Sequence, residues 1–243
     1  MRKSLVALAT SSLIATLAAV GVAPAAAAPT CVEPTILSAK TSPRTVVVGV
    51  QQAKGFVLTV KIRSNCTVKG VSADVVSPTF YNSVDLNRVA RSGDVTTWDV
   101  GLRLNPQALT NADAGTWSST IWVDSAVDTS GYGSDFKVLR AARLTTNATP
   151  EPVRKGRTIT VKGNLNRANW NLGRYRGYGK KKVQLQWRPA GGSYSTLKTV
   201  TSAPDGDLRT TLTARKDGCF RFVFKGSSTT APVKSKADCI DVR

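Results

Sequence analysis

Apolar residues recur at every second position along most of this chain, and past residue 28 helical periodicity never persists beyond about two turns. Thr158-Ile159-Thr160-Val161, Val183 to Arg188, Leu208 to Leu212, Phe220 to Phe224 and Ile240-Asp241-Val242 alternate in this way, with Gly or Asp-Gly punctuation between them. Thr45 to Val50, Phe56 to Ile62, Val68 to Val76, Thr96 to Leu104, Thr116 to Val123 and Asp135 to Leu139 do the same in the first half. A strand with one apolar face must bury it against a second layer. Six or seven short strands per roughly 100 residues therefore predict an all-β protein built of sandwiches, with closed barrels as the alternative.

The first residues follow another pattern. Arg2 and Lys3 precede an apolar run from Leu5 to Val22, and Pro24 and Ala25 to Ala28 follow it. That order is expected of a signal peptide over residues 1–28, cleaved on export. An uncleaved membrane anchor is the rival reading, weakened by Thr10, Ser11, Ser12 and Thr16 within the run. The carboxyl end, Asp241-Val242-Arg243, shows no hydrophobic tail, so a secreted, extracellular protein is expected.

Cysteine usage suits that compartment. Cys31, Cys66, Cys219 and Cys239 are even in number and allow three disulfide connectivities. The reading favoured is Cys31 with Cys66 and Cys219 with Cys239, which closes each loop within one half of the chain. Metal ligation by these cysteines would call for Cys-x-x-Cys spacing or histidine, and the chain has no histidine.

Charge divides the chain. Residues 31–146 hold 12 basic against 9 acidic groups, net +3, whereas residues 147–243 hold 20 against 6, net +14. Thr146 to Pro152, rich in proline and small polar residues, lies at the shift, which places domains at 29–146 and 147–243. Between Glu151 and Asp205 there is no carboxylate, yet 12 Lys or Arg are interleaved with Trp170, Tyr175, Tyr178, Trp187 and Tyr194. Trp187 alternates with Leu185 and Val183 and is expected in the core; Trp170 reads either way.

Asp113-Ala114-Gly115-Thr116-Trp117 matches the Asp-x-Gly-x-aromatic entry to a late strand of immunoglobulin-like domains, and Asp217-Gly218-Cys219-Phe220 is a shorter version. Two tandem immunoglobulin-like β-sandwiches are therefore expected. Arg140 to Leu144, Asn147 to Gly156, Arg167 to Trp170, Tyr175 through Tyr178 and Val183 to Trp187 together resemble a module common in secreted actinobacterial proteins of unknown function. The resemblance covers most of residues 138–243 and implies an immunoglobulin-like fold and export, with some relatives labelled calcium-binding. Where those relatives often carry aromatics near Cys219 and Cys239, this chain carries cysteines, a paired exchange that strengthens the assignment of that bridge. No catalytic residue comes with the resemblance.

The residues themselves point away from enzymatic chemistry. Without histidine there is no Ser-His or Cys-His pair, and no nucleophile elbow or phosphate-cradling glycine loop is present. Asp205 and Asp207 sit in a Pro-Asp-Gly-Asp turn, where turn chemistry accounts for them. Asp124, Asp128 and Asp135 place three carboxylates in a Gly- and Ser-rich segment, a candidate weak calcium site, with a hydrated hairpin loop as the competing account.

The remaining candidate is cationic. Arg174, Arg176, Lys180, Lys181 and Lys182 flank Tyr175 and Tyr178 in a Gly-punctuated stretch, Asn171 to Gly179, expected to project as a loop. Cations with exposed rings would suit an anionic envelope polymer or polysaccharide. The alternative is a structural or protein-interaction module in which the lysines guard a sheet edge and the rings pack inside.

Overall fold

The computed structural model describes residues 30–243, so the expected signal peptide lies outside the described residues. Residues 31–243 form one compact unit. The first half supplies β1 (Thr35–Ser42), β2 (Thr45–Val48), β3 (Lys54–Arg63), β4 (Gly70–Val76), β5 (Tyr81–Asp85), β6 (Asn87–Ser92), β7 (Val95–Leu104), β8 (Gly115–Asp124), β9 (Thr129–Tyr132) and β10 (Phe136–Arg140). One sheet runs β1-β3-β7-β6; the other runs β2-β10-β8-β4-β5, with β9 added to β8. Their alternation explains the layering. In β3, Phe56, Leu58, Val60 and Ile62 point inward, and in β8, Trp117, Ile121 and Val123 do so. Fully burying each such side chain stabilises the fold by about 1.5–3 kcal/mol.

The second half supplies β11 (Ala142–Leu144), β12 (Asn147–Thr149), β13 (Thr158–Asn169), β14 (Arg174–Gly177), β15 (Lys182–Arg188), β16 (Ser195–Thr201), β17 (Asp207–Thr213), β18 (Gly218–Phe224), β19 (Val233–Lys234) and β20 (Asp238–Ile240). β13 is the spine of one sheet, pairing with β11, β12, β14 and β17; the other runs β16-β15-β18-β19, with β20 also on β18. Leu165, Leu185, Leu208, Phe220 and Phe222 fill the space between. The architecture is all-β and sandwich-like throughout.

Both disulfides join the expected partners, Cys31 with Cys66 and Cys219 with Cys239. Cys219 and Cys239 stand directly opposite each other in the β18–β20 register. The aspartates of the two short motifs have structural roles. Asp113, 1% exposed, accepts hydrogen bonds from Ser77 Oγ at 2.6 Å, Thr79 N at 3.0 Å and Thr110 N at 2.7 Å, while its carbonyl receives the Trp117 indole N–H at 2.6 Å. Burial opposes ionisation of Asp113, but the bonds from Ser77, Thr110 and Thr79 outweigh it and hold the carboxyl below its ordinary range. Asp217 Oδ1 accepts from Val242 N at 2.7 Å, tying the last residues to the start of β18.

The chain passes from one pair of sheets to the other at Ala141, between β10 and β11. The segment expected as a spacer is woven into the second pair. Thr146 Oγ1 lies 2.5 Å from Ser235 Oγ, and Ala148 N donates to Asp238 Oδ2 at 2.6 Å. Several strands escaped the sequence reading because they lack alternation. Every residue of β6 is exposed, and β16 is exposed at all but Val200, as expected of edge strands wet on both faces.

Candidate functional site

The stretch Asn171–Gly179 does not project as a loop. β13 runs past the second core, turns through a short 3-10 segment at Trp170–Leu172, and returns as β14, so that this hairpin lies on the first half of the protein. Ala168, Trp170 and Tyr175 join a core cluster with Val46, Val48, Phe56 and Trp117. The Trp170 indole N–H donates to Gly49 O at 2.9 Å. An asparagine clasp closes the contact: Asn111 N donates to Asn171 Oδ1 at 2.7 Å, Asn111 Nδ2 to Asn169 Oδ1 at 2.9 Å, and Trp170 N to Asn111 Oδ1 at 3.0 Å. Trp170, open in sequence, is thus a core residue, and Trp187 is half-buried against the second core.

The seven residues of the expected cationic face are divided by this docking. Arg174, Arg176, Lys180 and Lys182 are exposed, whereas Lys181 and Tyr175 are half-buried. Tyr175 is covered by Arg143, whose guanidinium carbon stands 3.7 Å from the ring centre. Tyr178, expected outside, is 6% exposed and packs edge-on to Phe224 at 5.7 Å. The reason is register: Arg167 pairs with Arg176 and Ala168 with Tyr175 across β13–β14, so Tyr178 follows the inward-facing side that carries Leu165. Both rings of this group are already engaged within the protein, Tyr175 by Arg143 and Tyr178 by Phe224.

The three aspartates do not converge either. Among the described residues no group of three or more His, Cys, Asp or Glu could hold a metal ion. Asp124 faces Lys69 Nζ at 3.7 Å, and Asp128 Oδ1 accepts Ser125 N at 3.1 Å, closing the β8–β9 hairpin turn. Turn chemistry explains Asp128, and Asp135 lies beyond β9.

Two features were not foreseen from sequence. The first is the outer face of the β9-β8-β4-β5 sheet. Register places Tyr132, Thr120, Asp74 and Ser83 in one row and Ser130, Trp122, Ser72 and Asp85 in the next, with Tyr81 one row beyond. Trp122 is 48% exposed, Tyr81 66% and Tyr132 89%. Asp74 braces two of them, accepting the Trp122 indole N–H and the Tyr81 hydroxyl at 2.9 Å each. Those bonds, from Trp122 first and then Ser83 and Tyr81, hold the Asp74 carboxyl below its ordinary range, and the tie to Asp74 raises the Tyr81 phenol. Trp122 also walls a groove of about 560 Å³ whose other lining includes Glu33, Asp85 and Asp124.

The second feature is a buried arginine where the two halves meet. Arg140, 5% exposed, donates through Nε to Ala168 O at 2.7 Å, and its backbone bridges to Thr230. Burial and the neighbouring Arg167 lower its pKa to about 10. Arg167 stacks on Tyr178 at 3.9 Å and Lys181 Nζ stands 4.7 Å from the same ring centre. No sequence pattern could reveal this cluster, because Arg140 and Lys181 come from different sheets of different halves.

Neither a protein-family model nor a curated protein matches the chain. Among solved structures it is similar to murine CEACAM1b, at 13% identity and a TM-score of 0.38, covering 85% of this chain and 99% of that one. It is also similar to the D0-D1 domain of intimin, at 11% identity and 0.30 over 85% and 98% of the two chains, and to the Yersinia pseudotuberculosis adhesin InvE, at 14% identity and 0.28 over 85% and 58%. These scores are too low to carry an argument, and the all-β architecture rests on the strands themselves. Among the described residues no helix is long and apolar enough to cross a membrane.

Proposed function

We propose that the protein is a non-enzymatic interaction module, exported to the cell exterior, in which two immunoglobulin-like sandwiches act as one preorganised body with a partner-binding sheet face on the first. The observation that carries this reading is the outer face of β9-β8-β4-β5. Exposed Tyr and Trp supply large contact area at low entropic cost, and here Asp74 holds Trp122 and Tyr81 in place before any partner arrives. The clasp of Asn111 with Asn169 and Asn171 supports a rigid relation between the halves. The test is retention on native envelope material. The doubly substituted Trp122→Ala, Tyr81→Ala protein should lose retention while its melting temperature stays within a few degrees of the parent; equal retention would refute the face.

A second reading, association with an anionic polymer, is favoured by Arg174, Arg176, Lys180 and Lys182, exposed cations with no ion pair among the described residues. Retention would then fall with salt, at a log–log slope of about 0.7–0.9 per phosphate engaged, and charge reversal at these four positions would abolish it. Unchanged retention of that variant rejects the reading.

A further inference from the structure

The inner end of the second sandwich gathers positive charge without any counter-charge. Arg140 comes from the end of β10, Arg167 from the overhanging part of β13, and Lys181 from the entry to β15. None of the three makes an ion pair among the described residues, and residues 1–29 contain no Asp or Glu that could supply one. Isolated buried charge is expensive, by several kcal/mol per ion even after relaxation. The π-face of Tyr178 accounts for Arg167 in part, and Arg140 directs its Nε to the Ala168 carbonyl, a neutral acceptor that leaves its charge uncompensated.

Hydroxyl groups line the same spot. Tyr178 Oη lies 3.3 Å from Ser227 Oγ, and Arg167 Nη1 lies 3.5 Å from Thr230 Oγ1. Ser227 and Thr230 belong to the β18–β19 connection, which faces the β13–β14 hairpin. Ser227 and Lys181 are only half-buried, so the cluster has a path to solvent.

We propose that Arg140, Arg167 and Lys181, with the hydroxyls of Tyr178, Ser227 and Thr230, form a binding site for a tetrahedral oxyanion of the phosphate or sulfate class. Guanidinium forks match the paired oxygens of such an anion, and three cations with three neutral hydroxyl donors would complete its oxygen partners. The anion would neutralise the junction and lock the halves together. The site is independent of the sheet face of the first sandwich.

The test is calorimetric titration of the full-length mature protein with inorganic phosphate at constant ionic strength, set against chloride. Saturable binding with one site is expected. Lys181→Gln and Arg167→Gln should each weaken it about tenfold or more, the loss expected for one charge-assisted contact. Arg176→Gln, at the exposed rim, should change it by less than about threefold. Displacement of phosphate by a glycerol-phosphate polymer would assign the anion to a polymer, and failure of displacement to a free ion; both outcomes support the site. Absence of saturable phosphate binding, or binding unaffected by Lys181→Gln and Arg167→Gln alike, overturns it. If Arg167→Gln does not fold, Lys181→Gln decides.

Discussion

Replacing Trp170 by alanine tests whether the two halves are one thermodynamic unit. The indole is 4% exposed, lies within a core built mostly by the first half, and donates to Gly49 O at 2.9 Å. Trp→Ala truncations in cores cost about 3–5 kcal/mol, and the lost hydrogen bond, worth about 1 kcal/mol, puts this site in the upper part of that range. For a body of this size each kcal/mol shifts the midpoint by about 2–4 °C, so a fall of roughly 6–20 °C is expected. Scanning calorimetry should show one cooperative transition for the parent and, for Trp170→Ala, either a strongly lowered one or two separated ones as the halves uncouple. Trp122→Ala is the control, because its ring is already 48% exposed, and should shift the midpoint by only a degree or two. A Trp170→Ala protein with a single transition and a loss below about 1 kcal/mol would refute the shared core.

Asp113→Ala should destabilise by about 2–4 kcal/mol, measured by urea unfolding at neutral pH, because Ser77, Thr79 and Thr110 lose a charged acceptor. The Asp113 carboxyl is held below its ordinary 3.8, so its contribution is complete above that value and is lost as pH falls through the lower, folded value; the parent should lose stability more steeply than Asp113→Asn in that acid range. Removing Cys219 and Cys239 together, as serines, opens a loop of sequence separation 20 and should cost about 3 kcal/mol, read from the shift in urea midpoint against the oxidised parent. Gly177→Ala should destabilise markedly on the same assay, since a Cβ there would run into the backbone of Asp205.

Much of the fold was legible because burial in a sandwich writes itself as period two. The inward residues of β3, β8, β15 and β18 follow that alternation directly. The Asp-x-Gly-x-Trp motif was legible too, since a tight corner before a core strand demands a small residue and a local acceptor; Gly115 at φ +145° and Asp113 meet those demands. The residues of the exposed faces were harder to place. Arg174 to Lys182 read as one cationic, aromatic face because they are neighbours in sequence, whereas the β13–β14 hairpin half-buries Tyr175, Tyr178 beyond it is buried, and Arg174, Arg176, Lys180 and Lys182 stay outside. Trp122, Tyr81 and Tyr132 lie far apart in sequence and share a face only through three strand registers.

Residue order alone thus pointed to an all-β chain, favoured two in-half disulfides and fixed a strongly basic second half, because each of these depends on local pattern or composition. Tertiary structure decided which charges stay wet, which rings are covered and how the halves join. Those outcomes depend on where β13 overshoots its own sandwich to dock Trp170 beneath Gly49, and on Arg140 meeting Arg167 across that seam. Such contacts are set by the packing of distant segments, which no stretch of neighbouring residues encodes.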